Sequence, residues 1–301
     1  MKTIDLAIVI VNYNVRELLR ACLESIPTGT EGLSTGVWVV DNRSNDGSAA
    51  MVRHDFPAVR LIEAEENRGY SFGNNIALRE LLEDHETSYR YVLLLNPDTV
   101  LPLKSLTNLV EFVDERPEVG AVGPRLLRPD GSLDLACRRS FPGLWVSFTR
   151  LSGLSKLFPQ SPLLARYNLT FLDEKDIYEV DSVVGACMLV RWSTFEQTGF
   201  LDETFFMYGE DLDWAFRMRQ LGWKIVYNGQ VLVIHHKGAS SRQRSRQSIL
   251  AFHQAMELFF RKHYADSAGI FLSWLILTAV RAHAFVMLLR GGVISLPRWR
   301  T

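Results

Sequence analysis

Short apolar runs alternate with longer amphipathic segments over the first 125 residues of the chain. The predicted strands are residues 6–11, 37–40, 59–63, 91–95 and 119–122, and the predicted helices are residues 15–26, 75–84 and 103–115. The run YVLLL at 91–95 is apolar or aromatic at every position, which is typical of a strand buried on both faces. This pattern predicts an α/β domain with a mostly parallel central sheet flanked by helices.

The second half of the chain is less regular. Residues 125–180 contain the turn residues of PDG at 129–131 and the pattern breaker FPQSP at 158–162, so we interpret this part as an insertion. Two further strands are predicted, at residues 182–190 and 231–236. We therefore expect one large domain at residues 1–245, followed by a helical extension at residues 246–301.

Four of the predicted strands end in polar residues. They are Asn12, Tyr13 and Asn14 after the first strand, Asp41 and Asn42 after the second, Asn67 after the third, and Asn96 and Asp98 after the fourth. In open α/β sheets, ligands bind outside the carboxyl ends of the strands. These side chains can bind hydroxyls, amides or metal ions, so this edge of the sheet is the predicted site.

Composition excludes two classes of protein. With 47% hydrophobic and 22% charged residues the chain is globular rather than disordered. The balance of 33 basic and 34 acidic residues argues against a general nucleic-acid binder, so no nucleic-acid partner is expected. Cys22, Cys137 and Cys187 lie far apart without C-x-x-C spacing, which predicts neither a zinc site nor a disulfide framework and fits a reducing, cytoplasmic compartment.

Charge is distributed unevenly along the chain. Residues 135–172 contain basic and aromatic side chains but no acid, and no acid follows Asp266. Such segments are either solvated faces or surfaces for anionic lipid or an acidic acceptor.

The apolar run at 268–289 is interrupted by Arg281, which leaves it shorter than the roughly 20 residues that span a bilayer. We interpret it as an interfacial or re-entrant helix, with a helix packed on the domain as the alternative.

Two loops have nucleotide-binding potential, although the usual phosphate-binding loops are absent. VNYN follows the first strand where G-x-G-x-x-G or G-x-x-x-x-G-K-[ST] would be required. The segment VVDNRSNDGS at 39–48 is either an ordinary turn or a loop whose Asp41 binds a base or ribose. In NRGYSFGNN at 67–75, two glycines permit close approach of the backbone to a ligand, and Asn74 and Asn75 lie at the predicted helix start.

Asp98 in the segment NPDT is the strongest single clue to chemistry. It lies at the sheet edge, where a hard divalent cation could bridge its carboxylate and the oxygens of a diphosphate. The alternative is that Asp98 caps the helix predicted to begin near Pro102. A cap residue would lie closer to Leu101, so we favour metal binding.

The segment YGEDLDWAFRMRQLGW at 208–223 places three carboxylates at the head of a helix. Asp213 can pair with Arg217, four residues further on. Asp211 has no cation among its helical neighbours, and an unpaired carboxylate beside aromatic residues is a candidate general base, with Glu210 as the alternative.

His235 and His236 end the last predicted strand, and alternation puts them on opposite faces. One of them should face the site. It is either a ligand-binding residue or an ordinary histidine of the core or surface.

The ordered set of motifs resembles the glycosyltransferases of family 2, in the branch that includes bacterial rhamnosyltransferases. The motifs are VNYN, VVDNRSNDGS, NRGYSFGNN, LLLNPDT, GACMLVRW, FMYGEDLDWAFRMRQLGW and HHKGAS, and they extend from about Ile4 to Ser241. The resemblance implies a GT-A fold, a nucleotide-sugar donor, a divalent cation (Mg²⁺ or Mn²⁺) and an inverting transfer to an acceptor hydroxyl.

The resemblance also implies roles for individual residues. The donor-binding residues would be Asn12, Tyr13, Asn14, Asp41, Asn67, Gly69, Asn74 and Asn96. Asp98 matches the metal aspartate, Asp211 matches the catalytic base, and His235 matches a histidine that completes the metal or diphosphate site. Two departures are notable, because Asn96 stands where many relatives have a first Asp and the choice between His235 and His236 stays open.

Our leading hypothesis is an inverting glycosyltransferase that moves a sugar, rhamnose from dTDP-rhamnose or another dTDP- or UDP-linked sugar, to a lipid-linked or polysaccharide acceptor. It would act as a peripheral protein on the cytoplasmic face of the cell membrane, with the insertion on the acceptor side. A nucleotidyltransferase is the first alternative, but it needs a basic, glycine-rich loop where the chain has VNYN. A non-catalytic nucleotide-sugar-binding subunit of a membrane assembly is the second alternative. Asp98 and Asp211 argue against it, because a binding subunit needs no general base.

Overall fold

The computed structural model describes residues 2–236 and 246–290. The strands are β1 (Lys2–Asn12), β2 (Thr35–Asp41), β3 (Arg60–Glu63), β4 (Thr87–Leu95), β5 (Thr99–Val100), β6 (Val119–Leu127), β7 (Ile177–Val180), β8 (Cys187–Arg191) and β9 (Lys224–His235). The helices are α1 (Arg16–Gly29), α2 (Ser48–Asp55), α3 (Tyr70–Glu83), α4 (Ser105–Asp114), α5 (Leu144–Leu151), α6 (Leu154–Leu157), α7 (Trp192–Thr198), α8 (Glu210–Gln220), α9 (Arg246–His263) and α10 (Ala265–Arg290). A 3₁₀ turn occupies Leu135–Cys137.

Across the described residues, the strands form one sheet in the order β3-β2-β1-β4-β8-β6-β9-β5, with β7 also paired to β9. The first half is parallel, as the alternating pattern predicted. Strand β8 then lies antiparallel between β4 and β6, and the pairs of β9 with β5 and β7 are also antiparallel. Strands β6 and β9 are again parallel. The α/β class with a central sheet and flanking helices is confirmed, and the sheet is mixed because β8 runs antiparallel to both of its neighbours and β9 runs antiparallel to β5 and β7.

The centre of the sheet is covered on both faces. Every residue of β1 from Leu6 to Ile10 is fully buried, although successive side chains point to opposite faces. Residues 91–95 of β4 are buried in the same way. The run of apolar residues without alternation thus marks the two central strands of the core.

Element boundaries differ from the predicted ones where a long-range contact sets them. Helix α3 begins at Tyr70 rather than near Asn75, because Gly69 adopts φ 97° and the Tyr70 amide donates to the Phe206 carbonyl at 2.8 Å. The predicted strand at 182–190 begins only at Cys187, and residues 182–186 form a loop at the site. Strand β9 extends back to Lys224, seven residues before the predicted start.

The insertion is bounded by strands of the main sheet. Residues 125–127 still belong to β6, and β7, at its other end, pairs with β9. Between them lie α5, α6 and the 3₁₀ turn. An isolated bridge between Arg139 and Ser182 ties the insertion to the loop before β8.

Helices α9 and α10 form an antiparallel hairpin, as shown by the contact between His253 and His283. The C-terminal end of α9 is fixed to α8, because the buried carboxylate of Asp213 lies 2.8 Å from both Lys262 and His263. Asp213 also pairs with Arg217 at 3.0 Å, which confirms the predicted pair. The predicted boundary at 245/246 and the tail after 290 lie outside the described residues.

Helix α10 is long and apolar. The most apolar 18-residue window within Ala265–Leu289 has a mean hydropathy of 1.8. By length and composition alone this helix could cross a membrane, although its backbone is non-helical at Gly269. Only 11% of the most apolar window is buried within the chain, and Ile270, Phe271 and Trp274 are among the most exposed apolar side chains of the described residues. Helix α10 packs on α9 with Val280, Ala284 and Leu288 buried, and much of its remaining apolar surface is exposed.

We expect Asp213→Asn to lower the free energy of unfolding by about 3 kcal/mol, because the buried carboxylate that pairs with Arg217 and Lys262 and bonds to His263 would lose its charge. Urea unfolding followed by circular dichroism measures this. The matched control is Glu17→Gln, since Glu17 forms an exposed pair with Arg16 and should change stability by less than about 0.5 kcal/mol. Equal unfolding midpoints for Asp213→Asn and wild type would contradict the assigned role.

Candidate active site

The exits of β1 and β2 are joined by a network of side chains. Asn12 donates to Asp41 at 2.9 Å and to Ser44 at 3.1 Å, and the Ser44 amide donates to the other oxygen of Asp41 at 2.7 Å. Asn14 adopts φ 54° and accepts from the Asn45 amide at 2.8 Å. These contacts fix the loop after β2.

The ring of Tyr13 projects from this network and is 49% exposed. The buried carbonyl oxygen of the Asn12 side chain has no hydrogen-bond donor among the described residues. The network therefore offers one aromatic face and one free acceptor to a ligand.

Asn67 and Gly69 shape the next loop. Asn67 accepts from the Gly69 amide at 3.0 Å and from the Asn42 side chain at 3.1 Å. A Cβ at Gly69 would lie 2.1 Å from the Phe206 carbonyl oxygen, so only glycine fits this approach. The loop is thus held against the segment that leads into α8.

Asn74 and Asn75 lie in the second turn of α3 rather than at its start. Asn75 brackets Leu201, donating to its carbonyl at 2.8 Å and accepting from its amide at 3.1 Å, which is a structural role. Asn74 donates to the Tyr70 carbonyl at 2.9 Å, and its side-chain oxygen is buried without a donor within residues 2–236 and 246–290. Asn74 therefore keeps a free acceptor, whereas Asn75 does not.

Asp98 and His235 meet because β5 pairs antiparallel with the end of β9, with Thr99 opposite His235. His235 Nε2 lies 3.2 Å from Asp98 Oδ1, and its Nδ1 lies 3.1 Å from Asp134 Oδ2. The backbone amide of His236 donates to the Asp98 carbonyl at 2.7 Å. The structure thus brings His235 to Asp98, while residues 237–240 of the HHKGAS motif lie outside the described ranges.

The ionisation of His235 is set by its two carboxylates. Burial by itself lowers the pKa of this imidazole, but the hydrogen bonds to Asp134 and Asp98 outweigh it and raise the pKa to about 8. Asp134 was not predicted from the sequence. It lies 101 residues from His235, and no local pattern distinguishes it.

Asp98 and His235 fit a divalent cation that is shared with a diphosphate. In the part of the chain that the structure describes, no group of three or more His, Cys, Asp and Glu side chains is arranged to hold a metal. Two side chains are sufficient where phosphate oxygens and water complete the coordination. A histidine whose second ring nitrogen faces a carboxylate, as here with Asp134, is oriented for a metal.

Asp211 is paired, contrary to the prediction that it lacks a cation. Its Oδ2 accepts from Arg139 at 2.7 Å and from the Gly185 amide at 3.0 Å, and its Oδ1 accepts from the Leu212 amide at 2.7 Å. Arg139 lies 72 residues away in the insertion, so helical neighbours could not reveal it. Both side chains are buried.

Unlike Asp211, Glu210 lies in surroundings that favour its protonated form. Burial and the neighbouring Asp211 carboxylate raise the pKa of Glu210 to about 8. Its Oε2 atom is buried and has no hydrogen-bond partner in the described residues. Glu210 is therefore mostly protonated at neutral pH.

The turn that contains Asp98 and the start of α8, which contains Glu210 and Asp211, lie next to each other. Gly185 donates to Asp211, and the next residue, Ala186, accepts from the Asn96 amide at 2.9 Å in the NPDT turn. The side chain of Asn96 is half-buried beside this contact. Tyr70, which the sequence did not single out, donates to the Gly185 carbonyl at 2.9 Å.

The pKa of Tyr70 is affected by carboxyl groups from both of these segments. Burial, followed by the charges of Glu210, Asp211 and Asp98, raises the pKa of its phenol well above the usual range. All three carboxyl groups therefore act electrostatically on the Tyr70 hydroxyl.

We expect Glu210→Gln to stabilise the protein increasingly as pH rises. The folded pKa of about 8 exceeds the unfolded value of 4.5, so wild type loses stability between these two pH values and no further above the higher one. The glutamine variant lacks this loss. Melting temperatures from pH 5 to pH 9 measure the effect, about 2–4 °C for each kcal/mol. A difference from wild type that stays constant with pH, as expected for the exposed control Glu17→Gln, would rule out the raised pKa.

Comparison with known proteins agrees with this geometry. The profile of Glycosyl transferase family 2 matches residues 7–199, more than half of the chain. An N-acetylglucosaminyl-diphospho-decaprenol L-rhamnosyltransferase of Mycobacterium tuberculosis is 30% identical over 93% of this chain and 92% of its own length. The low-salt glycan biosynthesis hexosyltransferase Agl10 of Haloferax volcanii is 30% identical over 89% of this chain and 76% of its own length.

Solved structures support the fold. A mannosyltransferase from Pyrobaculum calidifontis, in complex with GDP-Man and Mn²⁺, has a TM-score of 0.59 at 18% identity, covering 99% of this chain and 78% of that one. GalNAc-T7 with UDP, GalNAc and Mn²⁺ has a TM-score of 0.54 at 13% identity, covering 77% and 44%. The GT-A fold is thereby confirmed, and the chain belongs to glycosyl transferase family 2 as a glycosyltransferase.

Proposed function

We propose that this protein transfers rhamnose from dTDP-rhamnose, with inversion, to a hydroxyl of a lipid-linked saccharide at the cytoplasmic face of the cell membrane. The observation that carries the proposal is the Gly185-Ala186 loop, which joins the Asp98 turn to the Asp211 helix within one site. A site for inverting transfer needs a group for the leaving diphosphate and a base on the opposite side of the sugar. Asp98 and Asp211 are suited to these two tasks.

The nucleotide would bind over the exits of β1 and β2. Tyr13 offers an exposed ring for a base to stack on. Asn12, Asn14, Asp41, Asn67, Gly69, Asn74 and Asn96 form the surrounding polar surface. The unused acceptor oxygens of Asn12 and Asn74 are free to accept from a pyrimidine or ribose.

The diphosphate would lie at Asp98 and His235, which would hold a divalent cation, Mg²⁺ or Mn²⁺. Such a cation neutralises the charge that develops on the leaving phosphate. Asp134 holds the imidazole of His235 in a fixed orientation. The carboxylate of Asp98 would attract the cation. Without the cation, the same carboxylate would repel the diphosphate.

Asp211 would act as the general base. Its carboxylate has about four lone-pair sites and accepts three protein hydrogen bonds, which leaves one site on Oδ1 for the attacking hydroxyl. Glu210, the alternative, is mostly protonated at neutral pH and cannot accept a proton in that form. We therefore assign the base to Asp211 and a supporting role to Glu210.

The names of the relatives support the choice of sugar and acceptor. The relative from Mycobacterium tuberculosis is named for rhamnosyl transfer to N-acetylglucosaminyl-diphospho-decaprenol, and a rhamnosyltransferase of Escherichia coli, WbbL, is 28% identical over 58% of this chain. The exposed apolar face of α10 fits a protein that meets its acceptor at a membrane surface. An N-acetylglucosaminyl-diphospho-polyprenol is the proposed acceptor class.

We expect dTDP-rhamnose to bind in a Mn²⁺-dependent manner, and Asp98→Asn and Asp134→Asn each to weaken that binding by about 10- to 100-fold. Calorimetry with Mn²⁺ and then with chelator measures the affinity, and electron paramagnetic resonance of free Mn²⁺ gives the metal affinity independently. Asp130→Asn is the matched control, since Asp130 is an exposed acid of the same loop as Asp134. Donor binding that chelator leaves unchanged would remove the cation from the proposal.

We expect Asp211→Asn to lower kcat by about 10²- to 10⁴-fold with little change in donor affinity, because the amide cannot accept the hydroxyl proton. The assay is transfer of rhamnose to undecaprenyl-diphosphate-GlcNAc, with the anomeric configuration of the product read by NMR. Glu210→Gln is measured alongside. Full loss in Glu210→Gln together with an active Asp211→Asn would transfer the role of base to Glu210.

We expect Phe271→Ser combined with Trp274→Ser to weaken binding to phosphatidylglycerol vesicles by about 10-fold or more, because two large exposed side chains lose their apolar burial in the interface. Vesicle co-sedimentation measures this. Leu82→Ser, which alters an exposed apolar residue of α3, is the control. Unchanged vesicle binding with a shift from dimer to monomer would assign the surface to a second copy of the chain.

A further inference from the structure

Helix α5 of the insertion exposes three large apolar side chains, whereas Val146 and Thr149 are buried and its single charged side chain is half-buried. Leu144, Trp145 and Phe148 are 50%, 47% and 55% exposed, whereas the guanidinium of Arg150 packs 3.8 Å above the ring of Tyr167. Long charged side chains normally extend to solvent, and large apolar ones are covered. This reversed arrangement requires an explanation from function.

Arg150 has no acidic partner among residues 2–236 and 246–290. Its side chain donates one hydrogen bond, from Nη1 to the Asn168 side chain at 3.1 Å, and its guanidinium also lies 5.9 Å from the ring of Phe252 on α9. The surrounding sequence offers no carboxylate, since residues 135–172 contain neither Asp nor Glu. Arg150 therefore keeps an uncompensated charge between the insertion and the hairpin.

The charge of Arg150 lies near that of Arg139, the partner of the proposed base. The Tyr167 carbonyl accepts from the Ser140 amide at 2.9 Å, and the residue before Ser140 is Arg139, the partner of Asp211. Burial and the positive charge of Arg139 lower the pKa of Arg150. Two guanidinium groups thus share one neighbourhood in which Asp211 balances only one of them.

A half-buried cation without a counter-ion is costly unless a ligand supplies the negative charge. Arginine is especially suited to phosphate, because its planar fork donates two parallel hydrogen bonds. The diphosphate of the donor already has a place at Asp98 and His235, on the side of the leaving group. An anion on the side of the base must belong to the acceptor.

We infer that Arg150 binds a phosphate of the lipid-linked acceptor, with the prenyl chain lying along the exposed apolar face of α5. This inference rests on the proposed function, in that it takes the acceptor to be a prenyl diphosphate. Tyr167 holds the guanidinium flat, and Arg139 adds positive potential from the side of the base. The saccharide attached to the diphosphate is then directed toward Asp211.

The test uses the full chain with chelator and without donor, so that it does not depend on the donor site. The probes are geranylgeranyl diphosphate and geranylgeraniol in nonionic detergent, and binding is measured by calorimetry. For wild type we expect the diphosphate to bind about 10- to 100-fold more tightly than the alcohol. For Arg150→Met we expect this preference to disappear while the affinity for dTDP-rhamnose with Mn²⁺ stays unchanged.

Arg150→Lys should recover part of the preference, because lysine keeps the charge but not the planar fork. Arg166→Met is the matched control, since Arg166 is an exposed arginine of the same segment, and it should keep the full preference. If the Arg150 variants fail to fold, wild type is treated with phenylglyoxal, and mass spectrometry should find that geranylgeranyl diphosphate protects Arg150 but geranylgeraniol does not.

Three results would overturn the inference. Equal binding of diphosphate and alcohol by wild type would mean that no phosphate is recognised. Loss of dTDP-rhamnose binding in Arg150→Met would assign Arg150 to the donor. If Arg150→Met no longer binds phosphatidylglycerol vesicles but keeps its preference for geranylgeranyl diphosphate, Arg150 binds a lipid headgroup instead. Because donor binding is measured separately, failure of this inference can be distinguished from failure of the proposed transferase activity.

Discussion

The buried ion pair between Arg139 and Asp211 is the interaction on which the site depends. Arg139 bonds through one nitrogen to Asp211, Ser182 and Val183, and its backbone forms a bridge with Ser182. The pair therefore connects the insertion, the loop before β8 and the head of α8. Removal of either partner would leave an isolated buried charge, which is strongly destabilising. The site and the fold of the insertion are thus energetically coupled.

Charge is separated across the site in a way that suits two substrates. Asp98 and Asp134 surround His235 at the end of β9, where a cation and a diphosphate can neutralise each other. On the side of the insertion, Arg139 and Arg150 lie near one another, and Asp211 pairs with Arg139. Burial and the Asp211 carboxylate raise the pKa of Glu210, which favours its protonated form.

The hairpin of α9 and α10 is connected to the same helix as the proposed base. Asp213 follows Asp211 by two residues and binds Lys262 and His263 at the end of α9. Phe205, Leu212, Ala255 and Phe259 form a small apolar cluster beside these charges. The exposed face of α10 is therefore held at a fixed position relative to α8, so contact with a membrane would also orient the site.

Features that depend on local pattern could be predicted from the sequence alone. The apolar runs of β1 and β4 identified the buried centre of the sheet, the polar strand exits identified the edge at which the proposed site lies, and the ordered motifs identified the family. The pair of Asp213 and Arg217 was also predictable, because a spacing of four residues in a helix places two side chains together.

Tertiary structure decided the rest, because the partners are distant in sequence. Arg139 reaches Asp211 across 72 residues, and Asp134 reaches His235 across 101. The choice of His235 over His236 follows from the register of β5 with β9, which no local pattern encodes. Local periodicity fixes which face a side chain occupies, whereas the identity of its counter-ion depends on how the sheet brings remote segments together.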